Sequence, residues 1–266
     1  MKTLLPKWSY LVLVAVGVVS GIFYYALPPA LEGWRGFALN LASEVVGILI
    51  TVLFIDAVLQ RREEREQRRY RSVALQQLRL PLKQHLLLLF AIYKASVEQK
   101  PEREISRVED LFSDDYRTQL TRFDFASEGP MVLIGVGGNQ KVPWFDYLYK
   151  EVGKFKDDLN RIVDKYAFYL DPDTLNSAEQ LINSSFVNII SYGPTIVTNA
   201  RNTGHQGGMR IFAGDGMSTV IREHTATFTK LVQTCNKVAS SENKIRVESH
   251  MWRNDTAPLI GSARVP

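Results

Sequence analysis

The sequence predicts an all-α protein, with an N-terminal transmembrane helical hairpin followed by a cytosolic helical bundle. Three observations predict it. Two apolar stretches, residues 10–27 and 37–59, reach about 27 and 34 Å as helices, against a bilayer hydrocarbon core of roughly 30 Å. A dense Arg/Glu segment follows the second stretch directly, and a seam of apolar residues at helical spacing runs through residues 144–169.

The first stretch is preceded by Lys2 and Lys7, as a signal peptide would be, but it ends in Phe23-Tyr24-Tyr25 and Leu27-Pro28-Pro29. A secretory core is shorter and closes on small residues, so a retained anchor is expected. Trp8 and Tyr10 at one end, with Tyr24, Tyr25 and Trp34 at the other, suit the two aromatic belts of a membrane. Gly17-x-x-x-Gly21 with Ser20 beside it is a spacing that lets a second helix approach closely, within the hairpin or between copies.

Along the second stretch Asn40, Glu44, Gly47 and Thr51 recur at intervals of four, three and four, which places them on one helical face. Lipid cannot satisfy that stripe, so these positions are read as packing or pore-lining. An ionised Glu44 in hydrocarbon costs at least a few kcal/mol. It is therefore expected to be protonated, paired or wet: either part of a proton or ion path, or neutral and hydrogen-bonded to Asn40, Ser43 or the partner helix. Asp56, near the inner end, has Arg61 and Arg62 close by in sequence, whose long stems can bring their charge to it. It is expected to anchor the interface, or to gate.

Six arginines, Arg61, Arg62, Arg65, Arg68, Arg69 and Arg71, follow the second stretch, while the loop between the stretches holds only Glu32 and Arg35. By the bias of Lys and Arg toward the cytoplasmic side, both termini face the cytoplasm. Nine of the 32 Lys/Arg and six of the 28 Asp/Glu fall in the first 71 residues, so the rest of the chain is nearly neutral. The basic character is membrane-proximal, which favours anionic lipid headgroups as partners, or a purely topological role, over nucleic acid. The single Cys235 excludes an internal disulfide and suits a reducing cytosol.

The charged segment pairs Glu64 with Arg68 and Arg62 with Glu66 at i,i+4, as a solvated helix does. Apolar positions return at Tyr70, Val73, Ala74, Leu78, Leu82, Leu86, Leu89 and Tyr93, with Pro81 among them. That proline should kink the helix or divide it in two. A short helix is expected within 109–123, then an exit into a loop. The turn Gly135-Val-Gly-Gly-Asn139 has Gln140 where a dinucleotide fingerprint needs its third glycine and lacks the Lys-Ser/Thr of a phosphate loop, so nucleotide binding is not expected.

Leu148, Val152, Phe155, Leu159, Ile162, Tyr166 and Tyr169 alternate four and three apart, the strongest helical signal outside the membrane. Asp171-Pro172 closes that helix and caps a second, continued by Leu175, Ala178, Ile182, Phe186 and Ile189. Gly193-Pro194 should break the pattern. Residues 201–217, with five glycines, form a loop long enough to suggest function or mobility. Its Arg201, His205, Arg210 and Asp215 are the best candidates for contacting an anionic ligand or a partner. A last helix is expected over 218–240, followed by a flexible tail.

His85, His205, His224 and His250 show no metal-ligand spacing, so no metal or cofactor is expected. Asp215, Ser218 and His224 lie close in sequence without the glycines of a nucleophile elbow, and no catalytic residue is assigned. The expected domains are a cytosolic tail (1–9), the hairpin (10–59), a juxtamembrane helix (60–100), a cytosolic helical domain (101–243) and the tail (244–266).

The run Glu44-Val-Val-Gly47-Ile-Leu-Ile-Thr51-Val-Leu-Phe-Ile-Asp56, leading into Arg61–Arg71, resembles a group of bacterial two-span membrane proteins with no agreed activity. The likeness extends more weakly to Leu111–Tyr116, Arg122–Phe125 and Tyr169–Leu175. Some two-span proteins of this layout look like effectors of anti-phage systems, including retrons, that injure the inner membrane by oligomerising. The resemblance implies an inner-membrane, non-enzymatic protein whose cytosolic domain binds a protein partner and whose hairpin forms a homo-oligomer. A passive anchor that recruits cytosolic machinery is the alternative.

Overall fold

The computed structural model describes residues 7–135, 138–204, 208–252 and 259–260. It is helical throughout except for one small sheet, and it divides into two compact units, Met1–Arg69 and Tyr70–Pro266.

The first unit contains α1 (Lys7–Ala26), one 3-10 turn (Pro29–Leu31) and the first part of α2 (Glu32–Ser96). Pro28 and Pro29 lack the N–H that would continue α1, so the chain turns there. Both helices are long and apolar enough to cross a membrane. They run antiparallel. The Tyr10 hydroxyl donates to Asp56 at one end, and Arg35 Nε donates to the Tyr24 carbonyl at 3.2 Å at the other. Between them a Cβ on Gly17 would lie 3.3 Å from Val45 Cγ1. Ser20, Ala38, Val45 and Asp56 are the buried side chains of this unit. Nearly every other large apolar residue of the two stretches is exposed, from Leu11 through Phe54 to Leu59.

Helix α2 is continuous over 65 residues, about 97 Å at ~1.5 Å per residue. The kink or division expected at Pro81 is not a break: the helix passes through it. An internal proline costs ~3 kcal/mol. Leu78, Leu82, Leu86 and Leu89 are all fully buried on either side of it, each worth about 1.5–3 kcal/mol, so packing outweighs the defect. Consequently the span, the juxtamembrane segment and a core helix of the second unit are one element. The domain boundary falls at 69/70, well before residue 100.

In the second unit, residues 70–96 of α2 are joined by α3 (Val108–Leu111), α4 (Asp114–Leu120), β1 (Glu128–Gly135), β2 (Gly138–Pro143) and α5 (Trp144–Tyr166). Next come α6 (Pro172–Ile182), α7 (Ser185–Ser191), α8 (Gly193–Asn202), α9 (Met217–Lys237) and β3 (Leu259–Ile260). Helix α5 buries Leu148, Val152, Phe155, Leu159 and Ile162, the periodic face read from the sequence, and packs on α6, α7 and α8; α9 closes against α6 and α7.

Four expectations for this unit need correction. The run continued through Phe186 is two helices rather than one, because Ser184 breaks it and caps α7 by accepting the Val187 N–H at 3.3 Å. Gly193-Pro194 begins α8 instead of ending a pattern, since proline is tolerated in a helix's first turn. Met131–Ile134 and the residues after the turn form an antiparallel hairpin in a sheet of order β2-β1-β3. Its strands approach so closely that a Cβ on Gly129 would lie 2.8 Å from the Val142 carbonyl oxygen. Finally, residues 244–252 are not a loose tail: Ile245, Val247 and Met251 are buried, and Trp252 meets Phe90 edge-on at 4.8 Å.

Candidate functional site

The polar stripe of α2 lies on the face that α1 leaves open. At ~100° per residue, Asn40, Glu44, Gly47 and Thr51 occupy an arc of about 60°, and Ala38, Val45 and Asp56, which α1 covers, centre roughly 140° away. All four stripe residues are exposed. The Thr51 hydroxyl is satisfied locally, donating to the Gly47 carbonyl at 2.8 Å. The bonds expected from Glu44 to Asn40, Ser43 or the first helix do not form: among the described residues neither the Glu44 carboxyl nor the Asn40 carboxamide has a polar partner. No atom lies within 4 Å of a Cβ built on Gly47, so a neighbouring backbone could come close there.

The two other expected positions in the first unit divide. Gly17 packs on Val45, whereas Gly21 meets nothing within 4 Å. Asp56 is buried and takes its hydrogen bond from Tyr10 of α1, so it joins the helices from inside and Tyr10 does not serve the aromatic belt. Trp8, Tyr25 and Trp34 remain exposed, as belt residues would be.

The arginines Arg61, Arg62, Arg65, Arg68 and Arg69 line the exposed part of α2. Two of them make the expected pairs, Arg62 with Glu66 at 3.2 Å and Arg68 with Glu64 at 3.6 Å, each worth about 0.3–0.5 kcal/mol at such exposure. Arg71 does something else. Its guanidinium meets Asp171 at 2.7 Å, the residue whose side chain accepts the Thr174 N–H and caps α6. Burial pushes the Asp171 carboxyl upward, but the Thr174 hydrogen bonds and the Arg71 charge outweigh it and hold it below the usual carboxylate range. Arg71 is therefore a structural clasp within the second unit rather than a headgroup contact.

The glycine-rich segment does not assemble a recognisable site. His205 and the Arg201 side chain lie outside the described residues. Arg210 and Asp215 are exposed, and the segment between them is fastened. The Met209 N–H donates to Asp124 Oδ1 at 2.8 Å, the Met209 carbonyl accepts from Phe125 at 2.9 Å, and Phe212 is buried. Gly216, at φ +78, supplies the left-handed turn that starts α9.

The polar cluster that sequence reasoning missed is in the core. His85 of α2 and His224 of α9, 139 residues apart, meet at 2.8 Å through their Nε2 atoms, and His224 Nδ1 lies 2.8 Å from Ser184 Oγ. Phe155 stacks on His85 at 3.9 Å, Phe186 stacks on His224 at 4.4 Å, and Phe228 closes a third side. Both rings are buried. Burial, reinforced by the neighbouring ring, holds His85 well below the ordinary histidine range, and burial pushes His224 down to about 3. A signal existed: each histidine occupies a position where the helical spacing calls for an apolar residue, His85 beside Leu82, Leu86 and Leu89, and His224 between Ile221 and Phe228. Asp215 and Ser218 take no part, and no set of three or more metal-ligating side chains converges among the described residues.

On the surface of the same unit, an open cleft of about 360 Å³ lies over α9, lined by Glu109, Phe112, Arg117, Arg222, Thr229 and Lys230 among others. Phe168, in the turn after α5, is 97% exposed. Comparison with protein-family models, with curated proteins and with solved structures gives no match.

Proposed function

We propose that this chain is a non-enzymatic effector of the bacterial inner membrane, both termini cytoplasmic, whose cytosolic helical domain binds a protein partner and controls homo-oligomerisation of the hairpin. One observation carries the reading. The stripe of Asn40, Glu44, Gly47 and Thr51 faces away from α1 and is exposed, with Glu44 unpartnered among the described residues.

A carboxyl and a carboxamide held in hydrocarbon must find protein or water. Two helices enclose nothing, so the covering surface comes from other copies. Copies inserted in one orientation and related by a closed rotation bring equivalent residues to the same depth. Asn40, Glu44, Gly47 and Thr51 then form successive rings around a polar axis, and Gly47 permits close approach. An oligomer of this kind makes a leak, which suits the anti-phage role that the two-span layout suggests. Partner contact fits the exposed Phe168 and the cleft over α9, since desolvated aromatic side chains carry much of the energy of protein interfaces.

The test is membrane potential in cells expressing the full chain, compared with Asn40→Leu/Glu44→Leu. The wild type should depolarise cells once triggered or overexpressed, and the double variant should be harmless at equal abundance. A double variant as damaging as wild type excludes the pore. If the second unit, from Tyr70 onward, retains activity on an unrelated membrane anchor, the chain is a passive scaffold.

A further inference from the structure

The pair His85–His224 has no role in the hairpin reading, yet it is the most unusual polar feature of the second unit. A 2.8 Å contact between two Nε2 atoms requires one nitrogen to carry a proton and the other to offer a lone pair. An imidazolium, protonated at both nitrogens, can only donate. At most one ring can therefore be charged without breaking the contact, and the surroundings oppose even that. His85 Nδ1 is buried with no partner, so a ring protonated at both nitrogens would leave a charged donor unsatisfied. His224 Nδ1 contacts Ser184 Oγ, which already accepts the Val187 N–H at the start of α7. The walls are Phe155 from α5, Phe186 from α7 and Phe228 from α9. Each imidazole faces the other, and no carboxylate, ammonium or guanidinium among the described residues is close enough to compensate a charge on either.

We infer that the His85–His224 contact is an acid-released clamp: it holds α2 against α7 and α9 while both imidazoles are neutral, and opens when protons reach it. Opening exposes the rings to water, where they take up protons at the ordinary histidine pKa of about 6.5. The closed state excludes those protons, so its stability is complete above that value and is lost as pH falls below it. With two protons bound per opening, the opening constant rises on the order of 100-fold for each pH unit below 6.5. A modest cytosolic acidification, such as a proton leak produces, is thus enough to loosen α2 from its neighbours. Its consequence for the hairpin rests on the function proposed above, because α2 carries both His85 and the polar stripe; the clamp itself does not.

The experiment is amide hydrogen exchange of residues 82–93 in the full-length protein in detergent, from pH 7.5 to 5.5, corrected for the intrinsic pH dependence of exchange. In the wild type the opening constant should rise by on the order of 100-fold per unit below 6.5, in His224→Gln by about 10-fold, and in His85→Leu/His224→Leu hardly at all. The same pH dependence in wild type and double variant overturns the clamp. Should the double variant fail to fold, histidine-labelled NMR of the wild type decides. His85 and His224 must stay neutral in the folded protein down to pH 5, and protonation of either near 6.5 without opening refutes the inference. If the clamp opens in acid but acidified cells keep their membrane potential, the link to the hairpin fails and the clamp stands.

Discussion

Gly17 and Gly21 stand one turn apart in α1, yet only Gly17 meets the second helix, with a built Cβ 3.3 Å from Val45 Cγ1, whereas one on Gly21 would meet nothing. Gly17→Leu must therefore force the helices apart, at a cost of about 1–3 kcal/mol, and Gly21→Leu should be tolerated. Thermal unfolding of the two variants in detergent checks this, and equal effects would show that the hairpin does not pack along this line. The sequence exposed the spacing but could not choose between the two glycines, because that choice depends on how α1 is rotated against α2. The same limit applies to Asp56. Its neighbours in sequence are arginines, but a carboxylate on the covered face of α2 meets α1, where the Tyr10 hydroxyl is waiting. Arg71 is the opposite case, a residue grouped with five others by proximity that is drawn out of the group by a capping carboxylate a hundred residues away.

At the scale of elements, periodicity was the reliable guide and its interruptions were not. The α5 seam and the helix over Met217–Lys237 follow from apolar spacing alone. Pro81 and Gly193-Pro194 read as breaks because their local costs are known, whereas the burial that offsets the first and the first-turn position that excuses the second are properties of the folded chain. The C-terminal segment is the sharpest case. Ile245, Val247 and Met251 follow neither period cleanly, yet all three are buried and Trp252 packs on Phe90. Ending the chain at Lys244 should remove at least about 4 kcal/mol of apolar burial. That is comparable with the whole stability of many domains, ~5–15 kcal/mol. The truncated protein should then unfold at a markedly lower temperature or fail to accumulate. Unchanged thermal unfolding would restore the reading of these residues as a dispensable tail.

For the whole molecule, the central feature is one uninterrupted helix that is an apolar span at one end and a core element of a folded unit at the other. A partner or a proton that shifts the packing of residues 74–93 acts on the same rod that carries the polar stripe. The stripe's existence was legible in the spacing of Asn40, Glu44, Gly47 and Thr51. That it faces away from α1 was not, since a second polar residue, Asp56, lies on the covered side and no sequence rule says which set the hairpin hides. Disulfide trapping between copies measures this directly. In a Cys235→Ser chain in native membranes, Gly47→Cys, on the stripe, is compared with Leu53→Cys, which is 54% exposed but roughly 150° around the helix. Self-association through the stripe gives inter-chain dimers at position 47 and few at position 53. Equal yields at both, or none at 47, would contradict it.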